Sequence, residues 1–177
     1  MDFKNNYAVA VNFLIKNLAD ELFRGAKMIG KIDDPVYRKS TTGTGSIGSH
    51  FRHNLDFVNA FVYGLGTGKI DYNRRERDLQ IEENRLYAIN MFADAVSRFR
   101  RLPVEIFNKK VLIRSEINSD FWLESSAMRE LEFLHSHTIH HHALIADKLK
   151  SFGVHTAKDF GVAPSTLKFW AEEKQAA

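Results

Sequence analysis

The stretch "SAMRELEFLHSHTIHHHALIADKLKSFG", Ser126 to Gly153, decides the fold. Phe133, Leu134, Leu144 and Ile145 recur at the spacing of one helix face, and Gly153 is suited to the position just past a helix end. The segment therefore predicts one long helix, about Ser126 to Phe152. It also holds His135, His137, His140, His141 and His142, five of the chain's eight histidines.

Rotation of about 100° per residue sorts these histidines. With His137 at zero, His141 lies at about +40° and His140 at about −60°. The apolar residues above fall within about 80° of the same direction, and Glu130 lies almost directly beneath His137. His135 and His142 point near 150°, beside Glu132. The expectation is that His137, His140 and His141 face the interior while His135 and His142 face solvent. His137 and His141 are four apart, so their rings can converge on one point. Imidazole is the commonest protein metal ligand, which makes an H-x-x-x-H pair a candidate chelate. Such pairs also arise often by chance, and a metal site needs a third ligand from elsewhere.

Three further stretches read as long helices. The first, about Phe3 to Met28, carries Tyr7, Val11, Leu14, Leu18, Leu22 and Phe23 at helical spacing. The linker "GKIDDPVYRKSTTGTG" follows, and the second helix starts at Thr44 or Ser46 and runs to about Gly64. A third helix covers about Arg77 to Arg101 and stops before Pro103. Next, Asn108-Lys109-Lys110 separates the β-branched runs Val104–Phe107 and Val111–Ile117, which suggests a short hairpin. A last short helix begins at Pro164 and passes through Trp170. The predicted fold is an all-α, four-helix up-down bundle forming a single domain, 1–177, with a short β-hairpin between helices three and four and a short C-terminal helix.

Composition narrows the function. The net charge is +3, and "RFRRLP" (Arg98 to Pro103) is the nearest approach to a basic cluster, so no nucleic-acid partner is expected. There is no cysteine, hence no disulfide, thiolate ligand or cysteine nucleophile in the chain. The N-terminal stretch lacks a basic lead-in, and no apolar run approaches membrane-spanning length. A cytoplasmic protein away from membranes is the expectation.

The remaining histidines are His50, His53 and His155. His50 and His53 share one side of the second helix, three residues apart. The apolar stripe there centres on Phe51, Leu55, Val58 and Val62, which slightly favours His50, whereas His53 lies beside Phe57 and Ala60 at the stripe's edge.

The segments "SIGSHFRHNLD" (Ser46 to Asp56) and "HTIHHHAL" (His137 to Leu144) resemble the two motifs of the DinB-like (DinB/YfiT) family of four-helix-bundle metalloproteins. "IDYNRRERDLQIEEN" (Ile70 to Asn84) and "DFGVAPST" (Asp159 to Thr166) resemble a subset of it, so the likeness spans most of Ser46 to Thr166. One departure is clear. Where the family usually has Arg-Gly-Gln after its histidine pair, this chain has His142, Ala143 and Leu144. The resemblance implies a metal site of His53, His137 and His141 at one end of the bundle, with His50 the first alternative to His53.

Three imidazoles would leave coordination positions open to water or a small-molecule substrate. Zn²⁺ is the first expectation, and Ni²⁺, Fe²⁺ and Mn²⁺ suit the same ligands. Asp56 and Glu130 are candidates to orient the rings, though each also reads as an ordinary solvated carboxylate. Asp71, Tyr72, Arg75 and Arg77 read either as an anion-binding mouth or as a loop latched by Arg–Asp pairs, and the second is favoured. The implied function is a metal-dependent hydrolase, or a transferase taking a low-molecular-weight thiol as cosubstrate. A non-catalytic metal-binding bundle with a stress-related role is the alternative, and a bundle whose histidines merely hydrogen-bond is a third. Leu167, Phe169 and Trp170 could cap the bundle or support a homodimer.

Overall fold

Helix α1, Phe3–Lys31, buries Val11, Ile15, Leu18, Leu22 and Ile29 along one stripe. These residues recur every three or four positions, so one face carries nearly all of the helix's buried apolar surface. Phe23 falls off that stripe: it is exposed, with Lys27 Nζ 4.6 Å above its ring. The computed structural model describes residues 3–40, 45–74 and 76–176. Thr44 and Arg75 lie outside the described residues.

The expected linker contains a five-residue helix, α2 (Asp34–Arg38), capped by the Asp33 side chain on Val36 N–H with Pro35 in the first turn. It drives Tyr37 into the core, where the hydroxyl donates to Ile81 O at 2.5 Å. Helix α3, Ile47–Thr67, starts at Ser46, whose Oγ accepts from Ser49 N–H at 2.9 Å. Ile47 is fully buried behind it. Gly48 is required by proximity: a Cβ there would lie 2.2 Å from Glu82 O and 2.8 Å from the Tyr37 ring.

The single helix expected over Arg77 to Arg101 is two helices, α4 (Leu79–Glu83) and α5 (Arg85–Arg100). Asn84 separates them. Its N–H closes α4 on Gln80 O at 2.8 Å, while its side chain accepts from Tyr87 N–H at 3.0 Å and opens α5. Asn competes well for such cap positions, which a periodicity count does not register. Arg77 is not helical; it sits at φ 54°, and its N–H reaches Asp56 Oδ1.

The hairpin also differs from expectation. Val104–Asn108 is a short 3-10 helix that buries Phe107. The strands are β2 (Lys110–Arg114) and β3 (Trp122–Ser126), antiparallel, with Leu112 opposite Glu124. Lys69–Ile70 adds a short parallel strand, β1, beside β2. Ser126 then ends β3 and caps α6 (Ala127–Ser151) by accepting from Arg129 N–H. Helix α7, Pro164–Ala176, closes the described chain.

The protein is thus mostly helical with a small three-stranded sheet. Helix α1 packs on α5 and α6, and α3 packs on the same two partners. Phe51, Phe61, Phe92, Phe99 and Phe107 fill the space between, with Phe51 edge-on to Phe92 at 5.5 Å and Phe61 parallel to Phe99 at 5.9 Å. Among the described residues no helix is long and apolar enough to cross a membrane.

Candidate metal centre

Helix α3 presents His53 and helix α6 presents His137 and His141. One ring nitrogen from each lies within 4.8 Å of the other two. Ring centroids are 5.2 Å apart for His53–His137, 4.7 Å for His53–His141 and 4.5 Å for His137–His141. A polar bridge beside them sets the register of the two helices: the buried Thr138 hydroxyl lies 3.1 Å from Asn54 Oδ1. These are the residues next to His137 and His53. An aromatic wall backs the group. Phe57 stacks on His137 at 4.0 Å, and Tyr72 stacks on Phe57 at 4.8 Å.

Burial pushes the His141 imidazolium down to about 2, and the neighbouring imidazoles of His137, His53 and His50 add to the effect. His141 is therefore neutral at pH 7, with a lone pair to offer. Two imidazoles on one tetrahedral zinc, at about 2.0 Å from it, stand roughly 3.3 Å apart. The three donors lie within 4.8 Å of one another, so the rings would have to turn inward to close on an ion. Donor type, the neutral state of His141 and the clustering of the three side chains fit a divalent ion.

The two carboxylates expected to orient the rings hold the surrounding structure. Glu130 is buried and accepts from Ser125 Oγ at 2.7 Å and from the Tyr72 hydroxyl at 3.1 Å, tying α6 to β3 and to the loop after β1. Burial first, and Glu130 second, push the Tyr72 hydroxyl well above its ordinary value. Asp56 accepts from Arg77 N–H at 3.3 Å and pairs with Arg52, which also holds Glu82 at 3.0 Å. Asp71 is latched to Arg114 at 2.9 Å, and its side chain also accepts from Asn73 N–H and Arg74 N–H. These contacts match a latched loop, with Tyr72 buried in it.

Three histidines sit where the rotation argument did not place them. His140 is exposed, whereas His135 and His142 are buried, His142 completely. The buried arc of α6 runs from Glu130 and Lys148, beside half-buried His137, through Leu134, Ile145 and Thr138 to His135 and His142. Its centre lies about 80° from His137, so His137 marks one margin and His142 the other. His140, at about −60°, falls outside it. His142 faces α1, with its Nδ1–H directed at Glu21 Oε2, 3.2 Å away. Burial holds this imidazole below its ordinary value despite the carboxylate. Phe160 stacks on it at 4.5 Å, and Asp159 pairs with Arg24 of α1 at 3.0 Å. Gly161, at φ 74°, packs so closely that a Cβ would lie 2.4 Å from Ala143 N. "DFGVAPST" thereby fastens the C-terminal segment over α6.

No family model, curated protein or solved structure matches the chain.

A groove of about 690 Å³ lies one turn along α3 from His53. Asp56, Tyr63, Lys69, Asp71, Arg114 and Trp122 contribute to its wall. Among the described residues lining it there is no histidine.

Proposed function

We propose that the four long helices, α1, α3, α5 and α6, form an up-down bundle of the DinB-like kind, and that His53, His137 and His141 hold a divalent metal ion between α3 and α6. The observation that carries this reading is the convergence of three histidine side chains from two helices, with one ring nitrogen of each within 4.8 Å of the others. Zinc is the first choice, with nickel, iron(II) and manganese(II) compatible with the same donors.

Three nitrogen ligands are the pattern of a site that keeps positions open. A divalent ion bound there would supply Lewis acidity and lower the pKa of a coordinated water. The chain's own residues supply the rest. His53, His137 and His141 bind and orient the ion, and Phe57 and Tyr72 exclude water from the His137 side. The reading is a cytoplasmic metal-dependent hydrolase or a transferase that takes a low-molecular-weight thiol. The groove beside Asp56 offers space for a small-molecule substrate. Exposed Phe169 and Trp170 on α7 would pair two copies of the chain.

The alternative is a non-catalytic metal-binding protein with a stress-related role. It is favoured by the absence of any histidine among the described groove residues, which separates the groove from the triad. A thermal-shift series with low-molecular-weight thiols on zinc-loaded protein tests the transferase form of the reading. A thiol-dependent rise in melting temperature that requires zinc supports the transferase; no shift with any thiol removes it.

A further inference from the structure

His50 lies one turn before His53 on α3, half-buried, and is not one of the three mutually close donors. Its Nδ1 is 3.3 Å from Nδ1 of His141, and the two ring centroids are 5.5 Å apart. Two nitrogens at that distance share one proton: one donates and the other accepts.

Which one donates has a consequence for the site. A neutral imidazole carries its proton on one nitrogen and a lone pair on the other. If His50 Nδ1–H donates to His141 Nδ1, the proton of His141 sits on Nε2 and no lone pair is left for a metal. If His141 Nδ1–H donates to His50 Nδ1, then His141 Nε2 is free to bind. In that state the proton of His50 sits on its own Nε2. Only the second arrangement lets all three donors act together.

We infer that His50 is a positioning residue: its Nδ1 accepts the Nδ1–H of His141 and so fixes His141 in the tautomer that coordinates metal through Nε2. The inference rests on the metal reading above and deepens it. A ligating histidine commonly donates its second N–H to a carboxylate, a carbonyl or water, and that partner sets ring orientation and donor strength. Here the partner is another imidazole. The role also accounts for two histidines three apart on α3: His53 faces the ion, and His50 holds a ligand from behind. A distance of 3.3 Å equally suits two imidazoles on one tetrahedral ion, so the test must separate a backing residue from a fourth ligand.

Zinc affinity is measured by competition with a chromophoric chelator for the natural chain, His50→Leu and His50→Asn. Asn places its Oδ1 where the histidine has Nδ1, whereas Leu offers no acceptor. The expected result is a loss of about 10–100-fold for His50→Leu, with most of the affinity restored in His50→Asn. In parallel, ¹⁵N–¹H correlation spectra of the unsubstituted zinc-loaded protein read each tautomer directly. They are expected to show His141 with its proton on Nδ1 and zinc on Nε2, and His50 protonated on Nε2 without zinc. Zinc on His50, zinc on Nδ1 of His141, or undiminished affinity in His50→Leu would each overturn the inference while leaving the three-histidine reading in place. Failure of the natural chain to bind zinc, nickel, iron(II) or manganese(II) stoichiometrically would overturn both. The spectra need no substitution, so poor folding of His50→Leu does not stop the test.

Discussion

The histidines of α6 do different jobs although they are adjacent in sequence. His141 turns toward α3 and the other donors, while His142 turns toward α1 and meets Glu21. Removing either costs something different. His142→Ala leaves a cavity beside Phe51 and Phe160 and strips the Glu21 carboxylate of its imidazole donor. The expected loss is about 2–4 kcal/mol of unfolding free energy, measured by urea denaturation, with metal content unchanged. His140→Ala, at an exposed position, is expected to change neither. His137 and His141 were legible as a pair because they are one turn apart on one helix, whereas His53 came only from the resemblance, since the apolar stripe slightly favoured His50. The face on which His142 lies was not legible. It depends on where the centre of the buried arc falls, and that is set by α1 and the Asp159–Gly161 segment, both remote in sequence.

At the scale of elements, the ends of helices carry much of the specificity. Ser46, Asn84 and Ser126 each use a side chain to close a free backbone N–H, and so fix where α3, α5 and α6 begin. Ser46 was readable as one of two candidate starts, with Thr44, and Ser126 as the start of α6, because each stood before a clear apolar period. Asn84 was not, since the periodicity of α4 runs on into α5 and conceals the break. The hairpin was misplaced for a related reason. Asn108-Lys109-Lys110 has turn composition, yet Phe107 is drawn into the core beside Phe61, and the strand reversal occurs later, after Arg114. Gly48 shows how tightly the elements join: α3 passes so near Glu82 that no side chain fits between them. Gly48→Ala is expected to cost about 1–3 kcal/mol by forcing α3 and α4 apart. Chemical denaturation measures it, and an unchanged midpoint would show that the junction can yield.

Over the whole molecule, two buried phenols make stability depend on alkaline pH. Burial raises the hydroxyls of Tyr37 and Tyr72 well above their ordinary value of 10.0. The folded state therefore keeps both protons while the unfolded state loses them. The contribution of these two groups is fully present below pH 10 and falls as pH rises above it, by about 2.7 kcal/mol per pH unit for the two together. Tyr72→Phe is expected to halve that slope in denaturation curves collected between about pH 10 and 12. Metal acts in the opposite direction. An ion that binds only the folded chain adds about 2.7 kcal/mol at a hundredfold excess over its dissociation constant, so zinc is expected to raise the melting temperature and a chelator to reverse the rise. The most direct test of the central claim is the metal content of the purified natural chain beside His53→Ala, His137→Ala and His141→Ala, each confirmed folded by circular dichroism. The account predicts one divalent ion per chain in the natural protein and its loss in all three variants. Equal metal content in all four proteins would contradict it.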